Sequence, residues 1–92
     1  MILHELEAVL KDRAGADPAE SYTARLLADP ELIQRKIMEE GFETCLELAR
    51  GPEANDRVAD EAADLLYHLL VGLVRSGVAI DDVFAVLEGR RK

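Results

Sequence analysis

Two pairs of carboxylates in this sequence have the spacing that could bind a hard metal ion. Glu40 and Glu43 are three positions apart, and so are Glu61 and Asp64, which directly precede an apolar run. On a helix, residues three positions apart lie on the same side, so each pair would present its oxygens together. If the pairs face one another, their charges repel unless a cation lies between them. The spacing therefore predicts a site for a hard cation, of the kind that serves phosphate chemistry.

Each pair belongs to a longer helical stripe. The stripes consist of Lys36, Glu40, Glu43 and Glu47, and of Arg57, Glu61, Asp64 and His68. Oxygen-only ligands favour Mg²⁺, with Mn²⁺ as the second choice, and the Glu-x-x-His spacing of di-iron bundles is absent. Lys36 lies one turn before Glu40, where it could neutralise a phosphate that the metal does not touch.

The same spacings have a structural alternative. Charged residues at these intervals are typical of a solvated helix face, and Lys36 with Glu40 matches an ordinary intrahelical ion pair. The second acid pair favours a site, because it borders the most apolar segment of the chain. His68 could be a ligand beside Asp64 or a hydrogen-bonded residue of the packing. Cys45 has no base at catalytic spacing and is predicted to pack.

Hydrophobic periodicity predicts a single all-α domain over residues 1–92, with four to five helices. Three long helices are expected: Ile2 to Arg13, Pro30 to Arg50, and a third that begins at Asn55 or Asp56 and ends at Arg75 or Ser76. A further helix, started by Asp81, is expected from Asp82 to about Glu88. A short helix is expected before Asp29. It is started either by Asp17 or by Ser21, and the helix started by Ser21 would end at Leu27. Gly77 is expected to close its helix in the left-handed conformation.

The segment from Leu65 to Val74 is apolar almost all the way round, so its helix needs more partners than three other short helices supply. We therefore expect a homodimer, with Leu66, Leu69, Leu70 and Leu73 buried by the second subunit.

Composition excludes several classes of function. The net charge of −8 disfavours binding to nucleic acid. Leu65 to Val74 is too short to cross a bilayer. The first residues lack a basic region followed by a long apolar one, so no signal peptide is expected. With a single cysteine, no disulfide can form within the chain. This favours a reducing compartment, so a cytoplasmic location is expected.

From Ser21 to Arg90 the sequence resembles the phosphoribosyl-ATP pyrophosphatases. Four segments carry the resemblance: Ser21-Tyr-Thr-Ala-Arg-Leu26, Lys36-Ile-Met-Glu-Glu-Gly-Phe-Glu43, Asp60-Glu-Ala-Ala-Asp-Leu-Leu-Tyr-His-Leu-Leu70 and Gly77-Val-Ala-Ile-Asp-Asp-Val83. The acidic motifs alone are typical of the wider all-α, MazG-like nucleoside triphosphate pyrophosphatase superfamily. Within that superfamily, the first and third segments narrow the resemblance to the phosphoribosyl-ATP pyrophosphatases.

The resemblance implies a dimeric, magnesium-dependent enzyme with the MazG-like helical fold. Such an enzyme would hydrolyse phosphoribosyl-ATP to phosphoribosyl-AMP and pyrophosphate, the second step of L-histidine biosynthesis. The metal-binding and catalytic residues implied are Glu40, Glu43, Glu61 and Asp64. The substrate-binding residues implied are Lys36, Glu39, Ser21, Tyr22 and Thr23.

Two other functions fit parts of the sequence. A house-cleaning pyrophosphatase for non-standard nucleoside triphosphates would share the acids and differ in its substrate. A non-enzymatic helical dimerisation module would need the apolar helix and have no use for the acids.

Overall fold

The computed structural model describes residues 1–91, which form five α-helices and no β-strand. The helices are α1 (Ile2–Arg13), α2 (Tyr22–Leu27), α3 (Pro30–Leu48), α4 (Asn55–Ser76) and α5 (Ile80–Arg90), with a 3₁₀ turn at Pro52–Ala54. The all-α prediction is confirmed. No helix in this part of the chain combines the length and the hydropathy that crossing a membrane requires.

Local side-chain chemistry determines where α2 begins. The hydroxyl of Ser21 accepts a hydrogen bond from the backbone N–H of Ala24 at 3.2 Å, which is the contact of a helix N-cap. Asp17 instead accepts from the N–H of Ala19, in a turn that precedes the helix. Of the two predicted starts, the one at Ser21 is therefore confirmed.

The start of α5 depends on a distant residue. The predicted start at Asp81 is wrong, because the helix already begins at Ile80. The carboxylate of Glu7, on α1, accepts a hydrogen bond from the backbone N–H of Ile80 at 2.8 Å. This contact satisfies a free N–H at the helix end, as a local cap would. Gly77, with φ 77°, closes α4 in the left-handed conformation as predicted.

Helices α3 and α4 form an antiparallel hairpin and make the most extensive contact in the fold. Helix α3 ends at Leu48, two residues before the predicted end, and Gly51 turns the chain with φ 96°. Near the open end of the hairpin, a Cβ on Gly72 would lie 3.3 Å from Cγ2 of Ile33, so glycine permits the close approach of the two helices. The hairpin thus has a short turn at one end and a tight contact at the other.

The core lies where α1, α2, α3 and α5 meet α4. Its buried members are Leu10, Leu26, Ile33, Leu70, Val71 and Ile80. The expectation that Leu70 needs a second subunit is wrong, because the chain's own helices bury it. Leu66 and Leu69 remain 50% and 42% exposed. Cys45 is exposed, so its predicted packing role is also wrong.

Candidate metal centre

Three of the four predicted acids meet between the helices of the hairpin. Glu40 and Glu43 extend from α3 and Glu61 from α4, and one carboxylate oxygen of each lies within 4.8 Å of the others. The helical period places the first two on one side of α3. The antiparallel turn then brings Glu61 opposite to them. The arrangement is a cluster of hard oxygen donors of the type that divalent cations bind.

The cluster leaves two buried oxygen atoms without a partner. Within the described chain, neither Oε2 of Glu40 nor Oε2 of Glu61 has a hydrogen-bond partner, and both are shielded from solvent. Burying an unpaired carboxylate oxygen is unfavourable, and a bound cation would offset that cost. The donor set and its unsatisfied atoms therefore fit a hard divalent metal ion.

The proximity of the carboxyl groups changes the acidity of Glu61. A hydrogen bond with Glu43 that can form only while the pair holds a proton, then burial, and a similar bond with Glu40 raise the pKa of Glu61 to about 7. A shared proton thus relieves the repulsion when no cation is bound, since two adjacent carboxylates cannot easily both ionise. A metal ion and this proton would compete for the same oxygens.

Asp64 lies outside this group. Its side chain is exposed, one turn beyond Glu61 on α4, and it is not among the three carboxylates that converge. Its backbone carbonyl accepts a hydrogen bond from Nδ1 of His68 at 2.8 Å. Metal binding by Asp64 stays a prediction.

Lys36 is a partly exposed cation on the same stripe of α3. Its Nζ donates to Oε2 of Glu39 at 3.2 Å, so its ion-pair partner is Glu39 and not Glu40. The hydrogen bond that Lys36 donates to Glu39 and the negative charge of that carboxylate raise the pKa of Lys36 above its ordinary value. Lys36 is therefore fully charged at neutral pH and available to an anionic ligand. Substrate binding by Lys36 and Glu39 stays a prediction.

The Ser-Tyr-Thr segment is attached to α4 by two hydrogen bonds that lie side by side. The hydroxyl of Tyr22 contacts Nε2 of His68 at 2.9 Å, and Oγ1 of Thr23 contacts the hydroxyl of Tyr67 at 2.5 Å. Ser21 caps α2. The hydroxyls of Ser21 and Thr23 thus have structural partners, and the substrate-binding role predicted for the segment stays a prediction.

Tyr22 lies within electrostatic reach of the acid cluster. Burial raises the pKa of its phenol, Lys36 lowers it, and Glu40 raises it to a smaller extent. The phenol therefore stays protonated at neutral pH.

His68 is buried and is hydrogen-bonded through both ring nitrogens. The prediction that it is a hydrogen-bonded residue of the packing is therefore confirmed.

An ion pair next to the acids was not predicted from the sequence. Nε of Arg57, on α4, donates to Oε2 of Glu47, on α3, at 2.9 Å, and Arg50 lies 3.6 Å from the other oxygen of Glu47. The signal was present, because Glu47 and Arg57 continue the two stripes of acids by one turn. Only the hairpin shows that the ends of the two stripes meet.

Comparison with known proteins identifies the family. Residues 3–91 match the family model described as phosphoribosyl-ATP pyrophosphohydrolase. A phosphoribosyl-ATP pyrophosphatase of Cereibacter sphaeroides is 49% identical over 90 residues, which cover 97% of this chain and 85% of the relative. Proteins of the same name from Ruegeria pomeroyi and Caulobacter vibrioides are 46% and 45% identical, over 98% and 97% of this chain and 85% and 81% of their own lengths. This chain therefore belongs to the phosphoribosyl-ATP pyrophosphohydrolase family.

Proposed function

We infer that this chain hydrolyses phosphoribosyl-ATP to phosphoribosyl-AMP and pyrophosphate, the second step of L-histidine biosynthesis. The observation that carries this proposal is the carboxylate cluster with unpartnered buried oxygens on Glu40 and Glu61, in a chain of this family. A dimerisation module would have no use for such a cluster, because unpaired buried acids destabilise a fold. The related proteins carry the name of this activity.

We propose Mg²⁺ as the metal, with Mn²⁺ as a substitute. Glu40, Glu43 and Glu61 would hold it, since their oxygens are hard donors that suit either ion. Asp64, one turn away and exposed, would be a fourth ligand. When bound, the metal would neutralise charge on the phosphates and on the leaving pyrophosphate.

The other catalytic roles would be filled by side chains of this chain. Glu43 is the most exposed acid of the cluster, so it can reach a water molecule at the open side of the site. We assign to it the proton that this water loses as its oxygen attacks the α-phosphorus. The bond from that phosphorus to the bridging oxygen breaks, and pyrophosphate leaves with the bonding electrons. Lys36 would neutralise a phosphate during this step, and Glu39 would hold its ammonium group in place.

We also propose that the working form is a homodimer. Leu66 and Leu69 are exposed on α4, where they line an apolar groove of about 320 Å³ between α1, α4 and α5. A second subunit that covered this face would bury hydrocarbon surface and add stability to a small domain. The cytoplasm is the compartment we propose, since the exposed thiol of Cys45 stays reduced there.

An assay of substrate preference tests the function. Purified protein is incubated with Mg²⁺ and phosphoribosyl-ATP, and separately with a panel of standard and non-standard nucleoside triphosphates, while pyrophosphate release is measured. We expect phosphoribosyl-ATP to have the highest kcat/KM and EDTA to abolish turnover. Preference for a non-standard nucleotide would support a house-cleaning pyrophosphatase instead.

A matched pair of variants connects that activity to the cluster. Glu40→Gln should abolish most of the turnover. Glu31→Gln removes an acid from the exposed first turn of the same helix and should leave it unchanged. Equal activity of both variants would refute the site.

A further inference from the structure

We propose that Tyr22 accepts a hydrogen bond from a hydroxyl or amino group of the substrate, and that His68 is the positioning residue that restricts Tyr22 to this acceptor role. The inference rests on the proposed function and adds to it the part of the substrate that the Ser-Tyr-Thr segment contacts. It also gives a role to His68, a buried polar side chain that the mechanism above does not use.

The direction of the hydrogen bonds follows from one group that has no proton. Nδ1 of His68 lies 2.8 Å from the backbone carbonyl oxygen of Asp64, which can only accept. Nδ1 therefore carries the ring proton. In the neutral ring, Nε2 is then an acceptor, so the Tyr22 hydroxyl at 2.9 Å must donate to it. The single proton of Tyr22 is thus committed, and its oxygen can only accept from a ligand.

The ring of Tyr22 is held in place although much of it is open to solvent. Tyr22 is 40% exposed. The guanidinium of Arg25 lies 5.3 Å from the ring centroid, the ring of Tyr67 stacks at 6.5 Å, and the ring of His68 meets it edge-on at 5.9 Å. An accessible side chain with this many fixed contacts keeps its oxygen in one position, so little entropy is lost when a ligand binds.

An oxygen that only accepts distinguishes between parts of the substrate. The ionised phosphate oxygens of a nucleotide also only accept, so they cannot bind Tyr22 directly. Ribose hydroxyls and the amino group of a base can donate to it. Lys36, within electrostatic reach of Tyr22, offers the cation that phosphates need. The two side chains would thus contact different portions of one substrate.

Four variants separate positioning from simple packing. Tyr22→Phe removes the acceptor, and His68→Asn removes the ring nitrogen that holds it, whereas His68→Gln places an amide oxygen near the position of Nε2. With phosphoribosyl-ATP, the first two should each raise KM about tenfold with little change in kcat. The double variant Tyr22→Phe with His68→Asn should be no worse than either single one, because both remove the same contact. His68→Gln should recover most of the lost kcat/KM.

Tyr67→Phe is the matched control. It also removes a phenol hydroxyl and a hydrogen bond between α2 and α4, so it should lower the melting temperature without changing KM. A rise in KM equal to that of Tyr22→Phe would overturn the proposal, because any loosening of α2 would then explain both variants. Circular dichroism shows that each variant is folded, and Tyr22→Phe, at a half-exposed position, gives the result if His68→Asn does not fold.

Product inhibition identifies the part of the substrate that Tyr22 contacts. Tyr22→Phe should weaken inhibition by phosphoribosyl-AMP, which carries hydroxyl and amino donors, about tenfold, and leave inhibition by Mg²⁺-pyrophosphate unchanged. An equal loss for both products would show that Tyr22 acts on the phosphate site, for instance through Lys36, and would overturn the proposal. Wild-type protein that does not turn over phosphoribosyl-ATP would refute the proposed function itself. Normal turnover with unaffected variants would refute only this inference.

Discussion

Glu47 accepts a hydrogen bond of 2.9 Å from Nε of Arg57, and this pair joins α3 to α4 beside the turn of the hairpin. It lies one turn beyond Glu43 on one helix and one turn before Glu61 on the other. The carboxylates of the cluster repel each other across the same interface. The ion pair therefore holds together two helices that the neighbouring acids push apart.

We expect Glu47→Gln to lower the free energy of unfolding by about 0.5–1 kcal/mol, the upper range for partly exposed pairs, because its carboxylate serves two arginines. Urea denaturation in EDTA measures the change. Glu88→Gln is the matched control, since Glu88 pairs with Arg91 at the exposed end of α5. An equal effect of both substitutions would contradict a special role for Glu47.

The acids of the cluster should oppose stability while they support activity. We expect Glu61→Gln to reduce kcat/KM roughly a hundredfold or more and to raise the melting temperature in EDTA at pH 8, where Glu61 is ionised and the substitution removes one of three converging charges. Asp64→Asn should weaken Mg²⁺ binding without raising that temperature, since Asp64 lies outside the group. Calorimetric titration with Mg²⁺ beside thermal melts separates the two effects. A higher melting temperature for Asp64→Asn would place its charge within the repulsive cluster.

The stability of the metal-free protein should depend on the titration of Glu61. Its pKa is raised from 4.5 to about 7 in the folded state. Between these values the folded protein keeps a proton that the unfolded chain releases, so this contribution to stability is complete below pH 4.5 and is lost as the pH rises through 7. Melting temperatures in EDTA from pH 4.5 to 8 should therefore fall more steeply for the wild type than for Glu61→Gln. Parallel curves would contradict the shifted pKa.

Association should depend on the exposed apolar face of α4. We expect the wild type to be dimeric by light scattering at micromolar concentration and Leu69→Asp to be a folded monomer, because Leu69 is exposed on the apolar groove. Val9→Asp introduces the same charge at an exposed position outside that groove and should leave the dimer intact. Leu70→Asp should unfold the chain, because Leu70 is buried within it. A wild type that is monomeric at this concentration would refute the dimer.

The features that sequence could predict depend on neighbouring residues. Ser21 and Gly77 mark helix ends through contacts within a few positions, and the helical period alone puts Glu40 beside Glu43. The start of α5 could not be predicted in this way, because its cap comes from Glu7 on another helix. The sequence also could not show which side of α4 faces inward. Both Leu69 and Leu70 belong to the apolar run, and only the packing of the other helices buries one of them.

The position of the acids within one hairpin has a consequence for how the protein folds. Glu43 and Glu61 come together when α3 and α4 pair across the short turn at Gly51, without help from the distant N-terminal helix. Contacts of such low sequence separation form early, because closing a short loop costs little entropy. The site should thus assemble near the beginning of folding, and the repulsion between its acids should lower the rate of folding. A divalent cation would then accelerate refolding of this protein, in addition to stabilising its native state.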